Sequence, residues 1–420
     1  MHKQVYYILY YIMNAIEFDS KIQYLFFLSI VVILLGYILV CVLKSLGVGI
    51  NNPFEQFTSY QVPVKGRKFL ILYTGGTIGM VESPEGNVPK KGFLGAQLRK
   101  ILSLHKYRDA VANFDVKEYD PLLDSSNMSV KDWNKMIADV RDNYDKYDGF
   151  IIIHGTDTLS YTASALSFAF KNLRKPVVIT GSQIPLQQLK NDGGNNLLAS
   201  LILVSQYTIP EVLVVFSNEI LRGNRSKKIS SNKLDAFDSP NMHHIGNFGY
   251  AATPNINNKI IKSNSGIFSP QLYNENIEVS IVFLTPGFNF NNVRAIVERN
   301  PKVRGVVLQT FGIGDGPTGN DKFLDMLKFL NEKNIVILNI SQCIEGHIDT
   351  GDYETGKTML KYRVISGNDM TLEAGYCKLL YLLTKYNASD FIYPNTRIIE
   401  DELTKNLRGE LSENSTVMEF

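Results

Sequence analysis

The chain has 420 residues, of which 45% are hydrophobic and 20% charged, and this ordinary globular usage excludes global disorder. Its 43 basic and 41 acidic residues leave a formal net charge of +2, which gives no electrostatic indication of nucleic-acid binding. Three cysteines are too few for a disulfide scaffold or a four-cysteine zinc site, and the six histidines show no metal-ligand spacing. We therefore expect two or three globular domains, no nucleic-acid partner and no metal site.

The first predicted element is an uncharged apolar run over residues 22–43. At about 1.5 Å per residue, a helix of this length crosses roughly 30 Å of hydrocarbon. We expect a retained transmembrane helix. A buried soluble helix is rarely apolar on every face, and a signal peptide has a shorter apolar region followed by a small-residue cleavage site. This interpretation makes residues 1–21 an N-terminal tail and residues 44–65, which are rich in Gly, Pro and Asn, a linker.

Beyond the linker, short apolar runs alternate with helical patterns. Three of the runs end in turns rich in Gly, Ser and Thr, at 74–79, 154–158 and 181–185. This alternation predicts an α/β fold with a doubly wound, mostly parallel sheet over residues 66–252. Ligands of such sheets bind just beyond the carboxyl ends of the strands, so the three turns are candidate site loops. After a polar segment the alternation resumes, and the remaining divisions are a linker at 253–275, a smaller α/β domain at 276–411 and a polar tail at 412–420.

The first candidate loop reads Thr74-Gly75-Gly76-Thr77. Paired glycines allow a tight turn and let backbone N–H groups approach a ligand. A dinucleotide loop is disfavoured because Thr74 stands where that motif needs its first glycine. A purely structural turn remains the alternative on this motif alone.

The second candidate loop reads His154-Gly155-Thr156-Asp157-Thr158. A hydroxyl beside a carboxylate can orient an amine and help to move a proton, but Asp157 or Thr158 is equally suited to cap the helix that follows. We expect His154 to make a structural hydrogen bond. A lysine such as Lys228 would complete a proton-handling set with Thr156 and Asp157 if the three side chains meet.

These motifs resemble the two signature segments of the bacterial-type L-asparaginases, most closely the type I branch. The similarity runs from about Lys68 to Leu411 and leaves the first 65 residues outside it. It is carried by TGGTIGM, DSSNM, HGTDT, TGSQIP, DGGNNLL, RGNRSKK, SPN and SQC, which begin at Thr74, Asp124, His154, Thr180, Asp192, Arg222, Ser239 and Ser341.

The resemblance implies hydrolysis of L-asparagine to L-aspartate and ammonia without a cofactor, in a homo-oligomer that is a dimer or tetramer. It implies that Thr77 is the nucleophile that forms an acyl-enzyme. Thr156, Asp157 and Lys228 would handle protons. The implied substrate-binding residues are Asp124, Ser125, Ser126, Thr156 and Asp157. A site that requires both charges of a zwitterionic amino acid rejects analogues that lack either.

Two departures from the family pattern bear on rate and regulation. Relatives usually carry a loop tyrosine that activates the nucleophile, and Asn87 stands in its place, so we expect an active but slower enzyme. Cys343 matches a position of the regulatory asparagine site found in some type I relatives. Gln309 and Lys227 replace the arginine and threonine expected there, so we expect weak or absent cooperativity.

Acceptor patterns for N-glycosylation at Asn127 and Asn224 lie beside the implied site and favour a cytosolic catalytic body on the anchor. The expected localisation is therefore a single-pass, membrane-anchored protein. Two alternatives remain: a weak or silent membrane-anchored amino-acid-binding protein, and the asparaginase-like subunit of a transfer-RNA amidotransferase.

Overall fold

The computed structural model describes residues 66–84, 86–102, 111–250, 253–349, 354–386 and 396–413. The predicted tail, membrane helix and linker at 1–21, 22–43 and 44–65 lie outside the described residues. Within the described ranges, no helix is long and apolar enough to cross a membrane. The described residues thus give no support to the predicted single-pass membrane localisation, and that prediction is withdrawn.

The amino-terminal part alternates strands and helices, as predicted. Its elements are β1 (Lys68–Gly75), β2 (Met80–Ser83), β3 (Gly86–Pro89), α1 (Phe93–Leu102), β4 (Asn113–Leu123), α2 (Val130–Asn143), β5 (Gly149–Ile153), α3 (Leu159–Ala169), β6 (Phe170–Lys171), β7 (Val177–Thr180), α4 (Gly193–Gln206), β8 (Val212–Phe216), β9 (Glu219–Arg222), β10 (Lys227–Lys228), β11 (Phe237–Asp238), β12 (Gly246–Phe248) and β13 (Pro254–Ile256). Short 3-10 turns occupy Thr77–Gly79, Ser125–Asn127, Tyr144–Lys146 and Gly223–Arg225.

An eight-stranded sheet in the order β13-β12-β9-β8-β7-β5-β1-β4 organises this part. The five strands from β8 to β4 pair in parallel, whereas β9, β12 and β13 add antiparallel pairs at one edge. The expected parallel arrangement is confirmed for those five strands, but the sheet as a whole is mixed. The added strands are only three or four residues long, too short for a hydrophobic period to predict them.

Helices cover both faces of this sheet. Along β1, Leu70 and Leu72 join the core on one face and Phe69 and Ile71 join the core on the other. Helices α2 and α3 contribute to the first core, and α1 and α4 to the second. Because β1 is buried on both faces, its sequence is a continuous apolar run without alternation.

The carboxyl-terminal part contains a second, smaller α/β layer. Its elements are β14 (Ser269–Pro270), β15 (Glu278–Phe283), α5 (Asn291–Arg299), β16 (Val303–Thr310), α6 (Asp321–Glu332), β17 (Val336–Ser341), α7 (Glu354–Lys361), β18 (Val364–Ser366), α8 (Leu372–Lys385) and α9 (Thr396–Leu403). Strands β15, β16, β17 and β18 form a four-stranded parallel sheet in that order. The hydrophobic core that contains residues of β1 and α3 also contains residues of β16, β17 and α8, so the two parts share one core.

Candidate active site

Three loops meet at the carboxyl ends of β1, β4 and β5. A Cβ atom placed on Gly76 would lie 2.5 Å from the Gly155 Cα, and one placed on Gly155 would lie 2.5 Å from the Ser125 Oγ. Gly76 also has a φ of 89°, which favours glycine. This contact brings together the backbones that lead directly into Thr77 and Thr156.

The first loop is fixed to the sheet from below. The Thr74 hydroxyl donates to the Ile153 carbonyl at 2.9 Å, which ties the ends of β1 and β5 together. Thr77 is half-buried and begins the 3-10 turn Thr77–Gly79. Its neighbours in the loop are therefore held while its own side chain remains partly accessible.

A lysine links the second loop to a distant segment of the chain. The Lys228 Nζ donates to the Thr156 Oγ1 at 2.9 Å and to the Asp157 Oδ1 at 2.8 Å. The Lys228 side chain is 20% exposed and the Asp157 side chain 63% exposed, so the pair lies at the rim of the site. An amine, a hydroxyl and a carboxylate in hydrogen-bonding sequence are suited to proton transfer at the threonine oxygen.

The structure decides between the two interpretations of Asp157 and Thr158. Thr158 lies at the N-cap position of α3, but its hydroxyl donates to the Ser125 carbonyl at 2.7 Å instead of capping the helix. The Asp157 carboxylate accepts from the Lys228 Nζ and does not cap the helix. The capping alternative is therefore wrong, and the Thr158 contact joins the second loop to the loop that follows β4.

His154 has the structural role expected of it. Because the Gly155 carbonyl can only accept, the His154 Nδ1 donates to it at 2.7 Å, and the Nε2 then accepts from the Thr162 hydroxyl at 3.0 Å. Thr162 in turn accepts from the Trp133 indole at 3.0 Å. Burial lowers the pKa of His154 to about 4, so the ring is neutral and holds the end of β5 in place.

The loop after β4 presents the third group of predicted residues. The Asp124 carboxylate accepts from the Ser126 backbone N–H at 3.1 Å and from its hydroxyl at 2.7 Å, which closes the 3-10 turn. Ser125 is buried against Gly155, whereas Asp124 and Ser126 are exposed. The predicted site residues thus come from three neighbouring strand ends and from the hairpin that carries Lys228.

Sequence reasoning missed Gln183 as a site residue, although it included the loop at 181–185. The Thr156 hydroxyl donates to the Gln183 Oε1 at 3.3 Å. The Gln183 Nε2 donates to the Lys233 carbonyl at 3.1 Å, and the backbone N–H donates to the Asp192 carboxylate at 2.9 Å. Gln183 and Lys228 therefore both hold the Thr156 hydroxyl, Gln183 as an acceptor and Lys228 as a donor. Its signals in the sequence were the strand-end position of the loop and its place in the TGSQIP motif, and neither indicates what the Gln183 side chain contacts.

Two tyrosines, Tyr73 and Tyr161, lie close in sequence to the candidate loops, and Asn87 stands where the family resemblance predicts a loop tyrosine. Asn87 lies in β3 and pairs with Glu82 of β2 in an antiparallel hairpin. Burial raises the pKa of Tyr73 and of Tyr161 well above the usual value of a phenol. Both phenols therefore stay protonated near neutral pH and are poorly suited to act as bases.

Comparisons with known proteins show which family this chain belongs to. The model of the asparaginase N-terminal domain matches residues 68–262, and that of the glutaminase/asparaginase C-terminal domain matches residues 278–392. L-asparaginase 1 of Escherichia coli strain K12 is 39% identical over 353 residues, which cover 82% of this chain and 98% of that protein.

Solved structures of similar sequence share the fold. L-asparaginase I of Vibrio cholerae is 40% identical with a TM-score of 0.73, and the match covers 83% of this chain and 99% of that one. The thermostable L-asparaginase of Thermococcus kodakarensis is 28% identical with a TM-score of 0.72, and the match covers 83% of this chain and all of that one. The chain therefore belongs to the asparaginase family.

Proposed function

We propose that this protein hydrolyses L-asparagine to L-aspartate and ammonia through a threonine acyl-enzyme. The observation that carries the proposal is the contact of the Lys228 Nζ with the Thr156 hydroxyl and the Asp157 carboxylate, at 2.9 and 2.8 Å. The Lys228 side chain is only 20% exposed, and its amine is held between these two groups at a strand end. The 39% identity to a known L-asparaginase supports the same reaction.

In the proposed mechanism, the Thr77 oxygen attacks the side-chain amide carbon of the substrate. Backbone N–H groups of the glycine-rich loop are suited to stabilise the oxyanion that forms. Collapse of the intermediate releases ammonia and leaves an ester on Thr77, which water then hydrolyses. Thr156, Lys228 and Asp157 relay the protons that these steps require. Gln183 holds the Thr156 hydroxyl by accepting its hydrogen bond, while the same oxygen accepts from Lys228.

The charged ends of the substrate meet opposite charges and hydrogen-bonding groups in this proposal. The exposed carboxylate of Asp157 is suited to bind the α-ammonium group, and Asp124 contributes a second negative charge. Ser125 and Ser126 supply hydroxyl and backbone donors for the α-carboxylate. Together with Thr156, these residues are the proposed substrate-binding set.

The proposed enzyme has a larger domain, predicted at 66–252 and extended by β13 (Pro254–Ile256) of the same sheet, and a smaller domain over 276–411. We also propose a homo-oligomer, either a dimer or a tetramer. The outer strand β15 of the smaller sheet supports this assembly, because Ile281 and Phe283 on it are 39% and 52% exposed. Size-exclusion chromatography with light scattering measures the mass, and a monomer at micromolar concentration would contradict the proposed assembly.

The test of the reaction is ammonia release by the purified full-length protein, with L-asparagine, L-glutamine and D-asparagine supplied separately. We expect release from L-asparagine that is abolished in Thr77→Ala. The matched control is Thr208→Ala, which removes another half-buried threonine, beyond the end of α4 and outside the candidate site. If a folded wild-type protein binds L-asparagine but releases no ammonia, the silent binding alternative replaces this proposal.

A further inference from the structure

The hairpin that carries Lys228 is short and depends on the turn that precedes it. Strands β10 and β11 pair over two residues each, and residues 231–235 between them are exposed. A two-residue pairing has little rigidity of its own. The turn Gly223–Arg225, which precedes the hairpin, is buried and is the more rigid end.

Arg225 fixes this turn to two other segments of the chain. Its side chain is 3% exposed. The Nε donates to the Gly409 carbonyl at 2.9 Å, one Nη donates to the Asp369 carboxylate at 2.8 Å, and the other donates to the Ser412 hydroxyl at 3.2 Å. All three nitrogens of the guanidinium group are therefore engaged.

The partners of Arg225 also bind each other. The Ser412 backbone N–H donates to one Asp369 oxygen at 2.9 Å, and the Ser412 hydroxyl donates to the other at 2.6 Å. Asp369 follows β18 of the smaller sheet, and Ser412 belongs to the chain beyond α9. We refer to Asp369, Gly409 and Ser412 together as the latch.

The latch is itself anchored in the core. The Lys378 Nζ of α8 lies 2.6 Å from the Glu410 carboxylate, and both side chains are fully buried. Gly409 has a φ of 87°, and a Cβ on it would lie 2.6 Å from an Nη of Arg222. Only glycine allows the chain to pass here and present its carbonyl to Arg225.

We infer that the latch positions Lys228 for catalysis by holding Arg225, and that Arg225 and Asp369 are positioning residues of the active site. This inference rests on the proposed function, in which Lys228 transfers protons at Thr156. Neither residue contacts Thr156 or Asp157. They act through the turn at 223–226, because Lys228 is only three residues beyond Arg225.

Removal of the Asp369 charge has a clear physical consequence. Asp369→Asn leaves the Arg225 guanidinium buried without its carboxylate partner. An unpaired buried charge strongly destabilises the conformation that buries it. The guanidinium then moves toward solvent and takes the turn with it. A displacement of about 1 Å at a catalytic group is enough to lower kcat by roughly 100-fold.

The test compares Asp369→Asn with Glu400→Gln in the full-length protein. Glu400 forms an ion pair with Arg363 and holds α9 of the same carboxyl-terminal region, so the control also converts a paired carboxylate into an amide. The measurements are kcat and KM for L-asparagine, the pH profile of kcat, the melting temperature, and hydrogen–deuterium exchange of residues 223–229.

We expect Asp369→Asn to lower kcat by about 10- to 100-fold with little change in KM, to shift the pH profile of kcat, and to speed exchange over 223–229. We expect Glu400→Gln to lower the melting temperature without these effects. If Asp369→Asn does not fold, Ser412→Ala removes one partner of Arg225 and is expected to show the same changes at smaller size.

Unchanged exchange over 223–229, or a loss of kcat that matches the control at equal melting temperature, would overturn the inference. The exchange measurement does not depend on activity. A wild-type protein without ammonia release would refute the proposed function, while the exchange comparison would still decide whether the latch holds the Lys228 hairpin.

Discussion

Replacement of Gly76 by alanine tests whether contact between the two threonine loops sets the geometry of the site. The added Cβ would lie 2.5 Å from the Gly155 Cα, which is about 0.9 Å short of an ordinary 3.4 Å contact, and 2.9 Å from the His154 carbonyl carbon. Since the obstacle is backbone, the loop itself must move by nearly this distance. A shift of about 1 Å between Thr77 and Thr156 is expected to lower kcat by roughly 100-fold.

The substitution also adds backbone strain, and a second glycine separates the two effects. Alanine at a positive φ costs about 1–3 kcal/mol wherever it stands. Gly92 has a φ of 79° with no atom near its Cβ position, compared with 89° at Gly76, so Gly92→Ala reproduces the strain without the collision. Steady-state ammonia release and thermal unfolding are measured for both variants. A Gly76→Ala enzyme with the kcat of Gly92→Ala would show that the contact between the two loops does not set the geometry of the site.

Three further predictions concern the proton relay, pH and regulation. Lys228→Met is expected to lower the rate of ammonia release by about 100-fold or more. Lys233→Met, which removes an exposed lysine of the same hairpin, is expected to leave the rate unchanged. Equal rates for the two variants would contradict a role of Lys228 in proton transfer. Burial lowers the pKa of His244, but its hydrogen bonds to Asp238 and Glu219 raise the pKa above the ordinary value overall. Protonated His244 therefore stabilises the folded state fully below about pH 6.5, and this stabilisation is lost as pH rises through the raised pKa. His244→Gln should lower the melting temperature more at low pH than at high pH. An equal loss at both pH values would contradict this prediction. At the positions of the regulatory asparagine site, Lys227 is paired with Glu373 at 3.1 Å and Gln309 stands where an arginine is expected. The rate of ammonia release should therefore rise hyperbolically with L-asparagine concentration, and a sigmoidal curve would contradict this.

The sequence was sufficient to predict the parallel part of the large sheet and the loops that gather at its edge. Buried strands such as β5 and β7 are continuous apolar runs, and each ends in a turn of small polar residues. The antiparallel edge could not be predicted in this way. Its strands are too short to carry a period, and their pairing depends on contacts distant in sequence.

For the candidate site, single motifs are compatible with two interpretations, and the contacts between distant residues distinguish them. Asp157 and Thr158 both suited a helix cap, and only the distances to Lys228 and Ser125 distinguish the alternatives. Gln183 was hidden for a similar reason, because an amide side chain in a loop carries no signal for what it contacts. The roles proposed for Thr77 and the substrate-binding residues come from the family resemblance and stay predictions.

Nothing in the sequence indicated that the carboxyl-terminal segment holds the hairpin of Lys228. Arg225 and Asp369 are separated by 144 residues, and arginine and aspartate are among the commonest surface residues. Only burial and the closed set of hydrogen bonds reveal that these residues belong to one structural unit.

The most direct test of the proposed acyl-enzyme is to locate the acyl group during turnover. The full-length protein is mixed with L-asparagine, quenched in acid within the steady state and digested, and the peptides are examined by mass spectrometry. We expect an aspartyl ester on the peptide that contains Thr77, and its absence from Thr77→Ala. An ester on the peptide that contains Thr156, with Thr77 unmodified in an enzyme that releases ammonia, would contradict the assignment of Thr77 as the nucleophile.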